Sequence, residues 1–160
     1  EQGVPEALQT VWFPLHVISI FLGEASFAIS FAVSLAFLAQ EHQIRHRRQI
    51  PLLRRLPSLE VLDEIIYRSI AFGFPVMTLG MVTGSLWAKQ AWGVYWSWDP
   101  RLALALATWM LIAGVLHARI AVGWRGRRMA ILTVIAFLLM TGSFIIVNVL
   151  KLGRHVGDFN

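Results

Sequence analysis

The sequence predicts an all-α, polytopic membrane protein with four transmembrane helices. Three observations carry that prediction. Across 160 residues, 57% are hydrophobic and only 14% charged, and the mean hydropathy is +0.63, far more apolar than a water-soluble domain of this size. Four stretches reach the roughly 20 apolar residues that a bilayer crossing requires. The arginines, finally, fall between those stretches or at their ends.

The first helix is expected at about 11–39, with His16 and Glu24 as its polar interruptions. The second, about 66–88, has a charge-free core from Ser69 to Ala88, and Pro75 in its GFP triplet is expected to kink it. The third covers about 101–120, and Asp99 followed by Pro100 is a favourable N-cap and first-turn pair for starting it. The fourth covers about 129–150. Within the longest connection, Gln40 to Glu64, PSLEVLDEII reads as a short interfacial helix; Ser58 is suited to cap it, and Glu60, Asp63 and Glu64 suit its first turns. The chain reads as one transmembrane domain over 1–160. Its opening, EQGVPEALQ, has no initiator methionine or charged leader, which allows it to be the C-terminal core of a longer protein.

The isoelectric point near 10.7 points to nucleic acid only until the basic residues are mapped. Arg45, Arg47, Arg48, Arg54, Arg55 and Arg68 lie between helices one and two, and Arg119, Arg125, Arg127 and Arg128 between three and four. The opposite side holds Lys89, Arg101, Lys151 and Arg154. By the positive-inside rule the arginine loops are cytoplasmic, and both termini and the loop at 87–100 face outward. The basic charge is a topology signal, and no nucleic-acid partner is expected. With no cysteine in the chain, a disulfide frame and a thiolate metal site are excluded.

Residues 91–100 read AWGVYWSWDP. Tryptophan and tyrosine favour the headgroup level, and an interfacial belt suffices for Trp12, Trp87, Trp109 and Trp124. Trp92, Tyr95, Trp96 and Trp98 are crowded enough to form a flat apolar shelf for a planar ligand, with Gly93 allowing close approach. Belt and shelf both remain open on the loop alone. His16 near the outer start of helix one and His155 after helix four flank the loop, and two neutral imidazoles on either side of a flat ring would ligate haem iron. Lys89 and Arg101 border the loop, either as partners for haem propionates or as solvated helix-end charges. Asp99 and Pro100 have a sufficient structural explanation as a helix start, and such a cap could also hold the loop against its ligand.

WGVYWSWDP resembles the tryptophan-rich (WWD-domain) signature of the haem-handling proteins of cytochrome c maturation, most closely the membrane subunit of the two-component (System II) cytochrome c synthase. LPSLEVLDEIIYRSIAFGFPVMTLGMVTGSLWA at 56–88 is similar to the family's segment before that signature, and HARIAVGWRGRRMAIL at 117–132 to the segment after it. The likeness runs from about Leu15 to His155. It implies that His16 and His155 are axial ligands of an outer haem, and that His117 ligates a haem within the membrane. Trp92, Gly93, Tyr95, Trp96, Trp98 and Asp99 would belong to the haem-binding signature. It also implies transport of haem b as substrate, a companion System II membrane subunit, and presentation of haem at the outer face for thioether attachment to the CxxCH motif of apocytochrome c. The chain would then form part of a holocytochrome c synthase in the bacterial cytoplasmic membrane, or a thylakoid equivalent, with the loop facing periplasm or lumen. Arg101 and Leu102 depart from the lysine and glutamate usual after the signature, and GRHVGDF departs from the usual GLHSY or GLHSF ending.

Two other functional classes fit the same residues less fully. A haem chaperone or exporter would deliver haem to a separate ligase and do no chemistry itself. A b-type electron-transfer subunit would need paired intramembrane histidines, and only His117 lies there. Glu24, two turns past His16, is either a functional intramembrane acid or a group facing a polar cavity. Gly80, Gly84 and Ala88 form a small-residue stripe, suited to close helix packing or to access by a flat macrocycle. His42 and His46 sit at helical spacing but beside arginines, which disfavours a metal cation. Asn148 suits an interhelical hydrogen bond.

Overall fold

In the computed structural model, described for residues 10–47, 55–98 and 100–149 with the side chains of Arg101, Val147 and Asn148 left aside, the chain forms four helices. They are α1 (Trp12–Arg45), α2 (Leu59–Trp92), α3 (Pro100–Ile120) and α4 (Arg127–Val149). All four contain spans long and apolar enough to cross a membrane. Large apolar side chains such as Ile18, Phe21, Phe72, Leu79, Met110 and Leu138 point outward, as expected of helices whose solvent is lipid.

Three boundaries differ from the expected ones, the end of α1 and both ends of α2. α1 continues past Ala39 to Arg45, so Glu41, His42 and Arg45 are helical, and an i,i+4 ion pair between Glu41 and Arg45 at 2.9 Å supports the extension. The separate interfacial helix is absent: its residues are the first turns of the 34-residue α2, which runs on through Pro75. Ser58 does cap it, accepting from the Val61 N–H at 3.5 Å. The tryptophan-rich loop is correspondingly shorter. α2 extends through Trp92 and is closed by Gly93 at φ 76°, whose N–H donates to the Lys89 carbonyl. That left-handed cap explains Gly93 without reference to a ligand.

α1 and α2 form an antiparallel pair whose close approach is written in small residues. Gly23, Ser26, Ser30 and Ser34 make a buried stripe on α1. Gly73, Gly80 and Gly84 answer on α2: a Cβ at Gly73 would meet Phe27 at 2.8 Å, at Gly80 Ile20 at 2.7 Å, and at Gly84 His16 at 2.6 Å. Ser30 donates across the interface to the Ile66 carbonyl at 3.2 Å. Without a hydrophobic drive between helices in lipid, such backbone proximity supplies the dispersion and hydrogen bonding that hold them together. α3 and α4 complete the bundle. Trp109 donates Nε1–H to Thr78 Oγ1 at 2.9 Å and stacks on Phe74, tying α3 to α2, and Phe31 stacks on Phe137, tying α1 to α4. Trp109 is therefore a packing residue with its polar handle satisfied, more than a member of an interfacial belt.

At the end away from the aromatic loop, Arg119 of α3 is buried against Asp63 of α2 at 2.7 Å and lies over the Tyr67 ring. The other Asp63 oxygen accepts from the Gly126 N–H at 2.7 Å. Asp63, expected only as a favourable first-turn charge, is in fact the anchor joining α2, α3 and the α3–α4 turn. Arg127 pairs with Glu41 at 3.5 Å on the same end. The arginine-bearing connections thus gather at one end of the bundle and the tryptophans of 92–98 at the other.

Candidate functional site

A cavity of about 250 Å³ opens at the aromatic end, between α1, α2, α3 and α4, and extends down to Glu24, Met77 and Met140. His16, Trp92, Tyr95 and Trp96 all line it. It is smaller than the roughly 300–1,000 Å³ of ordinary ligand pockets, so a flat macrocycle entering it would leave part of its edge outside.

His16 is positioned by α2. Gly84 provides the space that the imidazole occupies, and Trp87 stacks on the ring at 6.4 Å and 12°. The ring's Nδ1 lies 2.7 Å from the Gly80 carbonyl oxygen. A carbonyl only accepts, so in the neutral ring Nδ1 carries the proton and Nε2 keeps the lone pair. A backbone carbonyl holding one imidazole nitrogen is the usual arrangement for orienting the other toward a metal. An imidazole held in this way has the free nitrogen lone pair that metal ligation requires. Its expected counterpart, His155, lies outside the described residues, as does Asp99.

The aromatic wall begins earlier in the chain than the loop. Trp87, assigned above to an interfacial belt, is buried, contacts Phe13 and Trp92 as well as His16, and lines the cavity. The signal was present in its spacing: position 87 follows Gly84 by three and Gly80 by seven, which places it on the same helix face. Trp96 lines the cavity and meets Trp98 edge-on at 6.1 Å, while Trp98 is 84% exposed and stands beyond the lining. Lys89 turns toward the loop itself: its Nζ donates to the Gly93 carbonyl at 2.8 Å and sits over the Tyr95 ring. It pins the loop; the side chain of Arg101, the other cation expected there, lies outside the described residues.

The serine and threonine hydroxyls of the cavity are already engaged. Ser85, Thr108 and Ser143 line it, but each hydroxyl donates its proton to a carbonyl of its own helix, at 3.1, 2.9 and 2.8 Å. Glu24 reaches the same cavity from α1. His117 does not. It is exposed in the last turn of α3, at the arginine end, so the structure separates it from His16. His42 and His46 stack on each other at 4.0 Å, and among the described residues no cluster of histidine, cysteine, aspartate and glutamate could hold a metal ion.

The sequence model of the family described as "Cytochrome C assembly protein" matches residues 1–155. Similar proteins include "Cytochrome c biogenesis protein CcsA" of Guillardia theta, 35% identical over 93% of this chain and 54% of the relative. The protein of the same name from Chlamydomonas reinhardtii is 36% identical over 96% of this chain and 43% of the relative. That of Trichormus variabilis is 49% identical over 64% of this chain and 29% of the relative. The chain thus spans about half the length of the first two relatives it matches. No solved structure matches it. With an apolar four-helix bundle, a histidine held beside an aromatic-walled cavity, and a family match over nearly all of its length, the chain belongs to the cytochrome c assembly protein family and is similar to its CcsA members.

Proposed function

We propose that this chain binds haem b in the cavity at His16 and presents it at the outer membrane face, where the haem vinyl groups are joined to the thiols of the apocytochrome c CxxCH motif. The single observation that carries the reading is the His16–Gly80 hydrogen bond of 2.7 Å within a wall of Trp87, Trp92, Tyr95 and Trp96. It makes Nε2 a metal-ready nitrogen beside a surface suited to a porphyrin face. His155 is the proposed second outer ligand. Thioether formation adds each substrate S–H across a vinyl group with no group leaving, so what the protein has to contribute is alignment. Holding ring and peptide in register is catalysis by positioning, for which well-oriented reactants gain up to about 7–11 kcal/mol. The aromatic wall orients the ring, Lys89 stiffens the loop above it, and no residue serves as a nucleophile.

In this reading the arginine-rich end is cytoplasmic, the 93–98 loop faces periplasm or lumen, and a companion System II membrane subunit completes the assembly. His117, exposed on α3, would ligate a second, intramembrane haem with a partner ligand supplied from elsewhere. The test is an optical spectrum, oxidised and reduced, of the protein purified in detergent with its companion subunit. The wild type should show a bis-histidine haem signal that is lost in the His16→Ala, His155→Ala double variant. A signal unchanged in that variant refutes the ligand assignment.

A further inference from the structure

Glu24 is the acid that the proposed chemistry leaves without a task. It lies eight residues beyond His16 on α1, an axial rise of about 12 Å, and lines the same cavity. Most of the side chains that share this cavity's lining are apolar, including Met77, Met81, Leu104 and Met140. The hydroxyls within the cavity donate into their own helices. Among the described residues its carboxyl group has neither a hydrogen bond nor an ion pair. All the other acids of the described helix bodies with a visible partner sit at the arginine end: Glu41 with Arg45 and Arg127, Asp63 and Glu64 with Arg119. A carboxylate inside a membrane bundle is costly unless a positive charge meets it.

We infer that Glu24 is the counter-charge for oxidised haem held at His16, and so a residue that sets the reduction potential of that haem. The inference rests on the haem reading above. A porphyrin dianion around Fe(III), ligated by neutral imidazoles, carries one net positive charge at its centre; around Fe(II) it carries none. A nearby carboxylate therefore favours the oxidised form, by simple Coulomb attraction in a site shielded from water. With the axial rise of about 12 Å between residues 16 and 24 taken as the scale of separation and an effective dielectric constant of about 20, the bias amounts to roughly tenfold in the oxidised-to-reduced ratio. Glu24 acts through space and not as a ligand, so it is a positioning group for charge and not a catalytic residue.

The experiment is a potentiometric titration of the haem-loaded, full-length protein with its companion subunit, followed at the haem absorption bands. Glu24→Gln keeps the shape and removes the charge. It should leave the bis-histidine spectrum intact and lower the oxidised-to-reduced ratio about tenfold at fixed ambient potential, while Glu24→Asp should stay close to the wild type. Should the glutamine variant not accumulate, the smaller neutral Glu24→Ser takes its place in the same titration. A neutral variant with wild-type potential and an intact spectrum overturns the assignment of Glu24 alone. A wild type without haem, or one whose spectrum survives loss of His16 and His155, overturns the underlying site as well.

Discussion

Replacing Gly84 by alanine tests the seat of His16 directly. An alanine Cβ there would lie 2.6 Å from His16 Nδ1 and 2.8 Å from Cε1, where ordinary contact begins at 3.4 Å. The imidazole must retreat by about 1 Å, which takes Nδ1 out of hydrogen-bonding range of the Gly80 carbonyl, now at 2.7 Å. The lost bond costs about 0.5–1.5 kcal/mol, but glycine to alanine within a helix regains up to about 1 kcal/mol. Because the obstructing atoms belong to a side chain that can swing away, thermal stability in detergent should change by no more than about 1 kcal/mol. Haem retention should suffer far more, since removing the group that orients a metal-binding histidine weakens binding about 10–100-fold. The assay pairs a melting curve with the haem-to-protein ratio after purification. Wild-type haem content in a folded Gly84→Ala protein would refute the claim that this glycine seats the ligand. A large loss of stability would refute the claim that the ring, and not the helix pair, gives way.

Arg119→Ala should destabilise the bundle by about 3–5 kcal/mol, because it strands Asp63 in a site where the arginine is 6% and the aspartate 13% exposed; a melt in detergent reads this. Asp63→Asn keeps an oxygen for the Gly126 N–H and should cost less. Among the tryptophans, Trp87→Ala should lower haem retention more than Trp98→Ala, since Trp87 is buried against His16 and Trp98 is exposed beyond the cavity lining. Equal losses, measured as haem per protein, would mean that the aromatic residues act as a belt and not as a wall.

Much of the site was legible because its parts are locally encoded. His16, Trp92, Tyr95 and Trp96 stand out in the sequence by residue type and spacing, and they meet in one cavity. Trp87 was not legible as a site residue, since an isolated tryptophan near a helix end satisfies an interfacial belt equally well; only its contact with His16 across the α1–α2 interface separates the two readings. The same holds for Asp63, whose first-turn position gives it a local reason to be there while its partner lies on α3. The first turns of the long α2 read as a separate helix because they are polar, and polarity marks where a helix leaves the bilayer, not where it ends.

Composition and hydropathy by themselves mark four stretches as helices long and apolar enough to cross a membrane, as the described residues bear out, because burying backbone in lipid leaves few alternatives. Its aromatic and histidine motifs carry the family likeness directly. Which glycine accommodates which side chain, which carbonyl fixes the His16 tautomer, and that Glu24 shares a cavity with it were decided only in three dimensions. The physical reason is range: helix formation and membrane insertion depend on residues within a few turns, whereas a site is made where residues 16, 24, 84 and 140 are brought together by packing.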